Sequence, residues 1–127
     1  MKRAVRVVCV GGLILGVVSC SPASSASGAN APAAGGQAVT VTMTDFQFTP
    51  ADVAIKGGMP VTLTAANKGV IEHNWVVKSI EGTIQIDARG GQTASKTFAP
   101  PPAGTYAVVC TIAGHEQAGM VGTLRVE

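Results

Sequence analysis

From Val39 the chain alternates apolar and polar residues through "VTVTMTDFQF", which puts Val39, Val41 and Met43 on one face. A period of two is that of a strand with one buried side. The pattern recurs. "DVAIKGG" ends in a Gly-Gly turn, and "PVTLTAANKG" alternates again and closes on Asn and Gly. "HNWVV", "GTIQID", "ASKTF", "GTYAVVC" and "MVGTLRV" follow as short strands. Turn residues separate these runs roughly every ten residues, the spacing of a sandwich or barrel. No stretch carries a sustained helical stripe and no internal repeat is visible. The expected fold is all-β, a Greek-key β-sandwich of about seven to eight strands.

What precedes these strands has another character. Lys2, Arg3 and Arg6 open the chain, an apolar run follows from Val7 to Val18, and "VVSC" ends it at Cys20. This is the shape of an export signal, and its apolar run is short for a membrane span. "VVSC" resembles the lipobox of bacterial lipoproteins, in which the cysteine becomes the lipidated first residue; a simple cleaved signal or a short anchor are the other readings. Residues 1–19 are thus expected to be a lipoprotein signal peptide. Residues 20–37, the lipidated Cys20 followed by uncharged Ser, Ala, Gly and Pro, bury too little apolar surface to fold and read as a flexible tether. Residues 38–127 are left as one small domain. Without the signal, nine Lys and Arg fall to six against seven Asp and Glu, so the formal charge of +2 becomes −1. No basic patch for nucleic acid remains.

Within that domain Cys110 is the only cysteine, so no internal disulfide can form. A lone thiol in an oxidising compartment is a liability unless it is buried or held by a metal. The two histidines of the chain are His73 and His115. Taken singly, each residue has a plain explanation: a small buried hydrophobe for Cys110, a surface or capping residue for His73, core filling for Met120. Together they read differently. In "CTIAGHEQAGM" Cys110, His115 and Met120 are spaced by four intervening residues on each side, in a loop between two strand ends. His73 starts another strand. Thiolate, imidazole and thioether form the soft set that selects copper, and a second imidazole completes a two-His-one-Cys plane with a weak axial Met.

These residues resemble the cupredoxins, the type 1 blue copper proteins, of the plastocyanin, azurin and auracyanin kind. "EHNWVV" is similar to the segment around the first copper histidine, "CTIAGH" to the ligand loop, and "AGMVGTLRV" to the family's C-terminal tail, so the resemblance spans residues 38–127. It implies His73, Cys110 and His115 as equatorial ligands of one copper ion and Met120 as the axial one. It further implies that Asn74 ties the two ligand loops together near Thr111 and that Trp75 lies in the core. The implied function is one-electron transfer with copper cycling between Cu(I) and Cu(II), not enzymatic catalysis. The chain would be a monomer, lipid-anchored at the periplasmic or extracellular face of a membrane, with cytochromes or membrane electron-transfer complexes as redox partners. A periplasmic copper carrier or chaperone and a metal-free surface lipoprotein are the competing readings. Met-rich or His-rich tracts, which would favour the carrier, are absent. A dinuclear centre needs a second thiolate and a multicopper oxidase more histidines, so counting excludes both.

Overall fold

The computed structural model describes residues 35–79 and 82–127. Cys20, the expected signal and most of the expected tether lie outside the described residues. Nine strands are present among those described: β1 (Gln37–Thr44), β2 (Gln47–Thr49), β3 (Asp52–Ile55), β4 (Val61–Asn67), β5 (His73–Ser79), β6 (Gly82–Ala88), β7 (Thr93–Phe98), β8 (Gly104–Val109) and β9 (Val121–Val126). They form a four-stranded sheet in the order β2-β1-β4-β7 and a five-stranded sheet in the order β3-β9-β8-β5-β6. The all-β sandwich expected from the alternation is present.

The alternation explains the core. Val41 and Met43 of β1, Leu63 and Ala65 of β4, and Trp75 and Val77 of β5 are two residues apart within their strands, Val108 of β8 pairs with Val77, and Leu124 of β9 pairs with Val53 of β3; all are buried between the sheets. Burying a side chain of this size is worth about 1.5–3 kcal/mol, so these positions dominate the stability. The start of β1 is fixed by Gln37, whose side-chain amide donates to the Lys56 carbonyl at 2.7 Å and accepts from the Lys56 N–H at 2.6 Å.

Two features depart from the sequence reading. The run "VTVTMTDFQF" is not one strand: it breaks at Asp45 and Phe46, which turn β1 back onto β2 with Thr44 paired to Gln47. Phe46 holds a φ of +65°, a conformation that bulky residues avoid. The sheets are also mixed, with β1 parallel to β4 and β3 parallel to β9.

Candidate metal centre

Strand register brings the candidate donors to one pole. β5 and β8 are antiparallel with Val76 opposite Val109, so the first residue of β5, His73, and the residue just past β8, Cys110, lie at the same end. β8 and β9 pair Val109 with Val121. Cys110 and Met120 therefore flank one rung, and the Cys110 N–H donates to the Met120 carbonyl at 3.1 Å. The loop between them coils on itself. His115 N–H donates to Ile112 O at 3.0 Å, Ala118 N–H to Gly114 O at 3.1 Å, and Met120 N–H to His115 O at 3.0 Å. Gly114 and Gly119 take φ values of +86° and +100°, which glycine adopts at little cost and which let the coil close.

The side chains converge. His73 Nδ1 and His115 Nδ1 are 3.1 Å apart, and Cys110 Sγ is 3.4 Å from His115 Nδ1. The ligand atoms of His73, Cys110 and His115 all lie within 4.8 Å of one another. His73, Cys110 and Met120 are fully buried and His115 is 7% exposed. Two ring nitrogens facing each other can share at most one proton between them, so one cation placed among both lone pairs and the thiolate satisfies all three donors at once. Two imidazoles and a thiolate, with a thioether in the adjoining backbone segment, match the preference of copper. The residues present fit that metal.

The surroundings hold this cluster in place. Asn74, one residue on from His73, points to the opposite side of β5. Its Nδ2 donates to Thr111 Oγ1 at 2.9 Å, and its Oδ1 accepts from the Thr111 N–H at 2.8 Å. The start of β5 and the start of the Cys110–Met120 loop are thus fastened together. A weaker contact of 3.3 Å links Asn74 Nδ2 to Asp87. Trp75 is buried in the core.

Two site residues were not legible in the sequence, and both sit in the turn between β1 and β2. Phe46 places its ring edge-on to His115, with centroids 5.1 Å apart at 90°, while remaining 42% exposed. Asp45 sets a carboxylate oxygen 3.5 Å from His73 Nε2. Neither residue type is a ligand in the soft donor set, and reading "VTVTMTDFQF" as one alternating run passes over the single slip at Thr44 and Asp45 that marks the turn. Val70 and Ile71, just ahead of His73, are also exposed apolar residues of the adjoining loop.

Comparison with known proteins agrees with this geometry. A model of the cupredoxin-like domain family matches residues 12–124. The copper-resistant cuproprotein CopI of Rubrivivax gelatinosus is 29% identical over 109 residues, covering 69% of this chain and 65% of that protein. Auracyanin-B of Chloroflexus aurantiacus is 53% identical over 36 residues, 28% of this chain and 15% of its own length. The chain thus spans less than two thirds of either relative. A solved structure of auracyanin B superposes with a TM-score of 0.66 at 25% identity, covering 76% of this chain and 91% of that one. Auracyanin A, a "blue" copper protein from Chloroflexus aurantiacus, superposes with a TM-score of 0.60 at 26% identity over 71% of this chain and 99% of that one.

Proposed function

The chain belongs to the cupredoxin-like domain family, and from that premise we propose that it is a one-electron carrier whose single type 1 copper is held by His73, Cys110, His115 and Met120. The observation that carries this reading is the convergence of two imidazole Nδ1 atoms and one thiol sulfur, all buried, within 4.8 Å. When bound, copper supplies a one-electron couple between Cu(I) and Cu(II). The rest is the work of the chain. Three backbone segments hydrogen-bonded to one another present the donors, so the side chains need not rearrange when the charge between them changes. Burial keeps water away, and a Met120 thioether held as fourth donor would leave a substrate no place on the metal, which speaks for a carrier rather than an enzyme. His115 alone among the four retains some exposure, and the small exposed residues Ala113, Gly114 and Ala118 around it leave a partner room to approach.

In the same reading Cys20 carries lipid, and the Ser/Ala/Gly/Pro segment tethers the domain to the periplasmic or extracellular face of a bacterial membrane. Its partners there are redox proteins, cytochromes or membrane electron-transfer complexes. The near-balanced charge of the mature chain supports neither nucleic-acid binding nor strong electrostatic steering, and a monomer suffices because all four donors come from one chain.

A second reading, a periplasmic copper carrier, is favoured by the similarity to a copper-resistant cuproprotein. The visible spectrum tests the first. Oxidised protein loaded with Cu(II) should show an intense sulfur-to-copper charge-transfer band, and Cys110→Ser should abolish it, since a hydroxyl is a hard donor that cannot replace the sulfur. A band that survives in Cys110→Ser refutes the site. Copper that stays bound through repeated redox cycles in the presence of a Cu(I) chelator supports the electron carrier, and rapid loss to the chelator supports the copper carrier.

A further inference from the structure

His73 turns Nδ1 toward the other donors, so with that nitrogen bound to the metal the neutral ring carries its hydrogen on Nε2. That nitrogen is buried and is the one such side-chain N or O atom without a hydrogen-bond partner among the described residues. Leaving a buried donor unpaired is costly, so a partner within reach matters. An oxygen of Asp45 stands 3.5 Å away, just outside hydrogen-bond distance. The gap between them is shaped to admit the carboxylate. A Cβ on Gly69 would lie 2.5 Å from Asp45 Oδ1 and 3.3 Å from His73 Nε2, so only glycine leaves this space free. Gly69 is itself pinned, its N–H donating to Asn67 Oδ1 at 2.9 Å and its carbonyl accepting from the Gly91 N–H at 3.0 Å. Asn67 Oδ1, the other side-chain oxygen at this spot, is thereby already engaged.

The turn that carries Asp45 is anchored independently. Phe46, its other residue, packs edge-on against His115 in a left-handed backbone conformation. Two adjacent residues of one turn thus address the two histidines, one by ring packing and one by charge.

We propose that Asp45 accepts the Nε2 hydrogen bond of His73, positions that imidazole, and lowers the reduction potential of the centre. The inference rests on the copper reading above. With Nδ1 engaged in ligation, the Nε2–H becomes the better donor and the 3.5 Å contact closes to hydrogen-bond length. A carboxylate partner makes the imidazole a stronger donor to the metal, as partners of ligating histidines do, and stronger donation favours the more highly charged Cu(II). Asp45 is a positioning residue; it does not touch the metal.

Three variants of the copper-loaded domain test this: Asp45→Ala, Asp45→Asn and, as a control for nearby charge, Glu72→Gln, since Glu72 is exposed and adjoins His73 in sequence. Asp45→Ala should weaken Cu(II) affinity on the order of ten- to a hundred-fold, with Cu(I) affinity changed less. Each tenfold difference between the two raises the potential by about 59 mV. Asp45→Asn, which keeps an acceptor oxygen but not the charge, should fall between wild type and Asp45→Ala. In the reduced, diamagnetic protein, the His73 Nε2–H proton should exchange faster with solvent in Asp45→Ala. An Asp45→Ala protein that keeps the blue band, the wild-type potential and the wild-type proton exchange overturns the inference, as does a Glu72→Gln shift of equal size. Loss of the copper reading looks different, because the wild-type protein itself would then show no band.

Discussion

Met120 carries no charge and offers only a weak donor, yet it is fully buried and its backbone is bonded to both Cys110 and His115. As the proposed fourth donor, its thioether would give a little density that favours Cu(II). Met120→Leu removes it and should raise the reduction potential, while Met120→Gln supplies a harder oxygen and should lower it. The leucine variant conserves volume and should cost under about 1.5 kcal/mol of stability. Voltammetry on the three proteins decides: equal shifts, or none, would remove Met120 from the ligand set. At this scale the sequence was readable where chemistry is scarce. A domain with one cysteine and two histidines draws attention to Cys110, His73 and His115, and regular spacing adds Met120. Asp45 and Phe46 escaped because their types are common and their roles depend on a backbone angle. Phe46 at φ +65° defies local preference, and what sustains it, the His115 ring, is 69 positions away in the chain.

Elements meet at the candidate donors through side-chain fastenings as well as ladders. Asn74 belongs to β5 and Thr111 to the loop that follows β8, and two hydrogen bonds of 2.9 and 2.8 Å join them. Asn74→Ala deletes both and leaves the Thr111 N–H to solvent or unpaired. The expected loss is about 1–3 kcal/mol, seen as a fall of roughly 4–8 °C in the thermal midpoint per kcal/mol for a domain this small. The charge-transfer band should persist but broaden, because the four donors remain while their segments loosen. A midpoint within error of wild type would show that the two segments are held by the β5–β8 ladder alone. Strand existence and facing were legible for β4, β5, β8 and β9 because each has a buried side. The β1–β2 turn was not, since its only mark is one slipped beat, the successive polar residues Thr44 and Asp45, with alternation on both sides.

For the molecule as a whole, the address and the domain are separate questions. If Cys20 carries lipid, the protein expressed with its own signal should fractionate with membranes, durably so only with more than one acyl chain. Cys20→Ala should release it to the soluble fraction with the copper spectrum intact. Wild-type protein found entirely soluble would remove the anchor without touching the metal site. The sandwich itself could be read from alternation, but its parallel pairings could not, because period two is the same whichever way a neighbour runs. One of those pairings governs the order of events in folding. β9 lies between β3 and β8, and Asp52 pairs with Thr123 across most of the domain. Pairings so distant in sequence close late, after their loop entropy has been met. A chain halted before Val121 would already contain every proposed ligand, yet lack the rung that sets Cys110 beside Met120. Metal capture then follows the completed scaffold, and a chain still lacking β9 offers copper no formed site.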